Sequence, residues 1–515
     1  MNVLAQAPVS HWTPRSPFVP FPGWARLLLI VYMTLYHVLL PALAEAFASN
    51  QSPLFFWRLL AESAYVALVL LPVIFYRREY GVLHPLIFPL LYSLVKLIFK
   101  QPAHVFLPLE ASLGTFEVPT ESLAVVLSYL SLDALAQARL ELTLLECLGL
   151  VFYYVGFFFL PRIRVPSIRF APSTRVRGVA IAMLTVAAVA FVVLMTASGG
   201  VDQYVRGLAG RRFENIRQEG LGSLVALVGV GTTAVIIWFA YQRRASRDPV
   251  FIAAVVLASS MAWLSSGSRS DIAVLLMMLI MVWMIRASRL PAMRAALIAI
   301  LCFGLFGALG QIRRDYNAVE VNWSYLTSLD LQDWLLAASD EVEEREEKES
   351  NLAAYVGARQ TRLYGLPYVH AAAFWVPRFV WPDKPRSTGA YNTWVNFYGQ
   401  SLASVVEVPP TVGGRPVNRV VEAFWSFHLP GVVVVLGLFG MFHRWLASFL
   451  LVYSRVPAVW VLYVLALAQF NGTVVSFVSL TRTLVIALGI LFLCGVLRWG
   501  RKGIPAAGRL AGAPR

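Results

Sequence analysis

Guanidinium groups recur at four polar breaks of an otherwise apolar chain. Arg206, Arg211, Arg212 and Arg217 lie in GGVDQYVRGLAGRRFENIRQEGLG, Arg269 in SSGSRSD, and Arg313 and Arg314 in GQIRRDY. A long polar segment adds Arg359, Arg362, Arg378, Lys384, Arg386, Arg415 and Arg419, and Arg482 opens the last apolar run. A guanidinium fork matches two phosphate oxygens at once, so this residue type in this number suits a phosphate or diphosphate ligand. The stretch PRFVWPDKPRSTG, 377–389, concentrates the same chemistry. Its prolines fix φ and stiffen the backbone. Phe379 and Trp381, with Trp375 just before, are residues that settle at a membrane–water interface. Arg378 and Lys384 supply charge. An amphipathic surface clasp without a binding role is the alternative for this stretch.

Other chemistries find no residues to carry them. Neither GxxxxGK[ST] nor GxGxxG occurs, so nucleotide use is unsupported. There is no HExxH, and the seven histidines and three cysteines are scattered, which argues against zinc. The acids near the polar breaks are few: Asp271, Asp315, Asp383, Glu407 and Glu422. None forms a paired-carboxylate Mg²⁺ site, so the reading is metal-independent and without a cofactor.

The elements that must position these groups are membrane helices. Of 515 residues, 58% are hydrophobic and only 14% charged, and the mean hydropathy is +0.66. A soluble domain carries about 25% charged residues. The fold class is therefore an all-α polytopic membrane protein. Apolar runs near the ~20 residues a span requires fall at 24–48, 53–76, 83–106, 138–160, 178–198, 223–241, 249–266, 271–285, 295–312, 425–446, 456–474 and 480–499. The third, broken by Pro85, Pro89 and Lys96, also fits a re-entrant segment.

Alternate connections differ in charge. The segments RRE at 77–79, PRIRVPSIRFAPSTRVR at 161–177, RRASR at 243–247, RASRLPAMR at 286–294 and the tail from 500 are basic with hardly an acid. The positive-inside bias places them, and both termini, in the cytoplasm. The chain then divides into a cytoplasmic segment 1–23, nine spans over 24–312 with an outer loop at 199–222, a large outer loop 313–424, three spans over 425–499 and a basic tail 500–515. Most of the net charge of +15 is accounted for by topology, and nucleic acid is dismissed as a partner.

The turn GSRSD followed by a long apolar span, then VPRFVWPDKP and, further on, VNRVVEAFWSFHLPGVVVVLGLFG, resembles bacterial O-antigen polymerases of the Wzy type. The resemblance covers roughly residues 180–445. One departure stands out: the family often carries Asn-Phe-Gly where this chain reads SFHLPG. The resemblance implies a GT-C-like glycosyltransferase of the inner membrane that joins undecaprenyl-diphosphate-linked oligosaccharide units at the outer face. It also implies membrane lipids and a chain-length regulator protein as partners. Arg269, Arg313 and Arg314 would stabilise the departing diphosphate, with Arg211, Arg212, Arg378, Lys384, Arg415 and Arg419 binding diphosphate or glycan. Glu422 is the first candidate for the base and His428 the second; Glu422 equally suits a salt bridge with Arg419. An O-antigen ligase shares the donor chemistry and differs in acceptor. A flippase should carry polar groups through its spans, where this chain has Arg58, Glu62 and Lys96.

Overall fold

The computed structural model describes residues 18–46, 54–77, 80–92, 132–200, 204, 222–266, 269–289, 351–352, 354–356, 358–359, 362–374, 376, 380–381 and 418–497. Among them the architecture is helical, and the only β pairing is an isolated bridge between Phe170 and Leu497. In chain order the helices are α1 (Gly23–Thr34), α2 (Leu40–Ala46, joined to α1 by a π-turn), α3 (Phe55–Ile74), α4 (Leu132–Phe158), α5 (Val176–Ala197) and α6 (Gly222–Tyr241). They continue as α7 (Pro249–Ser266), α8 (Arg269–Ala287), α9 (Leu366–Ala373), α10 (Arg419–Val452), α11 (Pro457–Gln469) and α12 (Val474–Leu493). Six of these, α3, α4, α5, α6, α10 and α12, are long and apolar enough to cross a membrane.

Three helix starts lie six residues upstream of the apolar runs that announce them. α4 begins at 132 rather than 138, α10 at 419 rather than 425, and α12 at 474 rather than 480. The cause in α10 and α12 is capping: Asn418 accepts from the Val421 amide and Thr473 from the Ser476 amide. Polar caps start a helix where hydropathy still reads loop. Residues 419–424 are therefore helical, the first turns of α10. The third expected span is described only to 92, and 80–87 runs through turns. Its carbonyls are met by tyrosines: Tyr463 Oη donates to Leu83 O and Tyr153 Oη approaches Pro85 O. Non-helical backbone at membrane depth needs such partners.

Two seams organise the bundle. α6 packs against α5, α7, α8, α11 and α12, with Ala234, Val235, Ile236, Ile237 and Trp238 all buried. α4 and α10 approach most closely, because small residues meet there. A Cβ on Gly156 would lie 1.9 Å from Gly437 O, and one on Gly440 2.0 Å from Tyr153 O. Beside this contact Tyr153 Oη and His443 Nδ1 are 2.8 Å apart.

Basic connections gather at one end of the bundle. Arg444 donates to Phe158 O and Leu160 O, and Arg286 to Phe239 O and Gln242 O. Arg177 pairs with Asp248 at 3.5 Å, and Tyr453 Oη donates to Pro166 O. Ala171 N donates to Val496 O, tying the 161–175 segment to the end of α12.

Candidate functional site

At the opposite end, α4 and α10 diverge around an open cleft of about 650 Å³. α4 contributes Glu141, Leu144, Leu145 and Leu148; α10 contributes Phe424, His428, Leu429 and Pro430; the segment 351–359 adds Tyr355. Leu144 and Leu429 are each about half exposed, 52% and 53%, so the apolar wall runs out onto the flank of the bundle.

The cleft exists because α10 breaks. Pro430 has no N–H to donate, and its ring excludes the carbonyl one turn back. The residue before a proline is also turned away from the α region. The break falls at His428, with φ 57° and ψ −146°, at the edge of a region that is essentially glycine's. Such a conformation costs about 1–3 kcal/mol and survives only when its surroundings impose it. They do so here. The Trp425 carbonyl accepts from Leu363 N at 3.0 Å. Gly431 comes so near the preceding turn that a Cβ on it would lie 2.3 Å from Ala423 O.

His428 is half-buried, its ring centroid 4.8 Å from that of Phe424. Its Nε2 has no hydrogen-bond partner. Arg362, exposed on the segment leading into α9, lies within electrostatic range of the ring. A partnerless imidazole nitrogen in a cleft wall has the chemistry of a base; here it is buried, so a bound hydroxyl reaches it only once the ring turns into the cleft.

Across the cleft stands a carboxylate absent from the candidates read in the sequence. Glu141 Oε2 accepts from Tyr355 Oη at 2.9 Å and pairs with Arg359 Nη1 at 3.3 Å, while Oε1 accepts from Gln137 Nε2 at 2.9 Å. Burial first, and then the hydrogen bond to Glu141, pushes the Tyr355 phenol up from its ordinary value, so it remains a donor. A second set of bonds secures the same segment one turn deeper. Asn418 Nδ2 donates to Glu146 Oε1 at 2.7 Å, and Asn418 N donates to Asn351 Oδ1 at 2.7 Å. Tyr355 and Phe424 rings are 5.4 Å apart, which completes an aromatic run from 355 through 424 to 428.

Of the sequence candidates among the described residues, His428 alone lines the cleft. Glu422 is 3% exposed, and its Oε2 accepts from Val474 N at 2.8 Å, so the carboxylate caps the start of α12. Arg419 donates to Asn471 O at 2.8 Å, and its guanidinium lies 4.9 Å from the centre of the Phe439 ring. Arg269 opens α8. Arg211, Arg212, Arg313, Arg314, Arg378, Lys384 and Arg415 lie outside the described residues. Glu141 escaped sequence reasoning because it sits in the third turn of α4, counted as span, while Tyr355 and Arg359 lie more than 200 positions away. The run QARLELTLLE, polar at every few positions ahead of an apolar helix, was the available signal. No group of three metal-ligating side chains occurs among the described residues. No protein-family model, curated protein or solved structure matches the chain.

Proposed function

We propose that the chain is a membrane glycosyltransferase that extends a glycan from lipid-diphosphate-linked oligosaccharide units, a polymerase of surface polysaccharide at the outer face of the cytoplasmic membrane. The observation that carries this reading is the cleft between α4 and α10: one wall is leucine and opens sideways, and the other holds a strained histidine with an unpartnered nitrogen. A substrate with a long apolar tail and a polar reacting end needs both surfaces in one site. The outer arginines add the diphosphate chemistry.

In this mechanism His428 Nε2 accepts the proton of the acceptor hydroxyl as that oxygen attacks the anomeric carbon. The C–O bond to the diphosphate breaks, and its electron pair leaves on the diphosphate oxygen. Arg269, Arg313 and Arg314 act on the charge that grows there, a contribution that is largest in the transition state. The reading prefers His428 to Glu422 as base, because Glu422 is buried and its Oε2 accepts from the Val474 amide.

The test is extension of a purified lipid-linked repeat unit by the full chain in nanodiscs, read as a ladder of products. Arg313→Ala and Arg314→Ala should each slow extension by the equivalent of about 2–4 kcal/mol, the range for loss of a preorganised charge partner. Lys at these positions should recover part of that loss, since an ammonium makes no planar fork. Transfer of the glycan to a non-glycan lipid acceptor, with no ladder, would make the enzyme a ligase. No transfer by the wild-type chain to either acceptor would remove the reading.

A further inference from the structure

We infer that Glu141, Tyr355 and the aromatic run to His428 form a saccharide-binding subsite, which takes a neutral sugar ring of the substrate by its hydroxyl groups. The inference rests on the lipid-linked glycan reading and names which part of the substrate this wall meets.

Charge balance decides the ligand class. A cation site needs net negative charge, and here the Glu141 carboxylate is already paired with the Arg359 guanidinium at 3.3 Å. An anion site needs spare positive charge, and at the Glu141 wall the same pairing cancels it; the further guanidinium, Arg362, lies within range of His428 at the other end of the aromatic run. What remains at the Glu141 wall is nearly neutral and rich in hydrogen-bonding groups. Gln137, Tyr355 and Arg359 fix the carboxylate in orientation. An ionised carboxylate has about four lone-pair positions, so three donors leave capacity for a hydroxyl. The side chain is 30% exposed, which keeps that capacity accessible.

Shape agrees with charge. Tyr355, Phe424 and His428 succeed one another at centroid separations of 5.4 and 4.8 Å along the cleft wall. Tyr355 and Phe424, 6% and 8% exposed, meet the cleft with a small part of their ring surface, enough for an apolar C–H edge of a pyranose, while the fixed carboxylate beside them accepts from its hydroxyls. A site built to hydrogen-bond a substrate hydroxyl discriminates strongly, because its buried polar groups are left unpaired by the wrong ligand. Glu141 therefore acts on sugar identity, whereas His428 acts on the proton.

Saturation-transfer NMR on the full chain in nanodiscs, with methyl glycosides of glucose, galactose and N-acetylglucosamine at millimolar concentration, tests the subsite. A polyprenyl monophosphate titration in parallel tests the lipid reading separately. At least one glycoside should bind the wild type. Glu141→Gln should weaken that binding by about tenfold, the effect of losing a hydrogen bond to a charged group, and Tyr355→Phe by severalfold, with polyprenyl monophosphate binding unchanged in both. If Glu141→Gln fails to fold, Tyr355→Phe alone carries the test. Failure of every glycoside to bind the wild type, or equal glycoside binding by wild type and both variants, would overturn the subsite. Binding of Ca²⁺ or of an alkylamine in competition with the glycoside would also overturn it, since the charge argument forbids a cation there. Loss of polyprenyl monophosphate binding by the wild type would instead count against the lipid-linked reading.

Discussion

Glu422 and Val474 join the two helices at the cleft end of the bundle: the buried carboxylate of one accepts the first helical amide of the other at 2.8 Å. The helix N-terminus leaves that amide without a partner of its own. A carboxylate there also meets the positive end of the α12 dipole.

Glu422→Gln should retain full transfer activity, because the amide oxygen still accepts from Val474. Glu422→Ala should lose about 1–3 kcal/mol of stability through an unsatisfied buried donor. Thermal unfolding beside transfer assays on both variants makes the check. A Glu422→Gln protein that folds normally and transfers nothing would restore Glu422 to the chemistry.

His428 carries a separable signature. His428→Ala and His428→Gly should both abolish chain extension, since each removes the ring nitrogen. They should differ in stability. Glycine adopts positive φ freely whereas alanine does not, so His428→Gly should exceed His428→Ala by about 1 kcal/mol in unfolding free energy. Equal stabilities would mean that the backbone at 428 is not held in the positive-φ form.

The α4–α10 seam predicts a steric effect. Gly440→Ala places a methyl 2.0 Å from the Tyr153 carbonyl, a distance no rotamer change can relieve. Overpacking of a close contact costs about 1–3 kcal/mol or more. The expected outcome is a lower unfolding temperature and a lost Tyr153–His443 contact. Gly178→Ala, where nothing lies within 4 Å, is the neutral control.

The gathering of basic connections at one end predicts accessibility. In a background lacking the native cysteines, Tyr364→Cys should react with an impermeant maleimide in spheroplasts, and Arg164→Cys only after permeabilisation. Both positions are exposed on the protein, so access is decided by the membrane alone. The reverse pattern would invert the orientation drawn from the Lys and Arg count.

Much of the helix plan was legible because a span is a local property: α3, α5 and α6 lie within the apolar runs that announce them, give or take a few residues. The cleft was not legible, because its members come from three distant segments. Glu141 meets Tyr355 across 214 positions, and no pattern within a window of sequence relates them. His428 was half legible. Its ring marked it as a base, and Pro430 two residues on was an available sign of a break, but the sequence carries no sign that the break leaves a buried nitrogen without a partner. The burial of Glu422 was hidden for the converse reason. An acid just ahead of an apolar run reads as exposed, and only the arrival of α12 shows it to be a cap.

The α4–α10 seam also has a consequence for the order in which the molecule can be made. Tyr153 and His443 are separated by 290 positions, and ribosomes deliver the chain N-terminus first. α4 therefore enters the membrane while its partner is still unsynthesised. Its notch at Gly156 stays without Gly437, and Tyr153 without His443, until the chain has been made that far; only the Pro85 carbonyl is there earlier to meet the tyrosine. The notch must be met by lipid, by an insertase or by another helix of the same chain, and whichever holds it has to let go when α10 arrives.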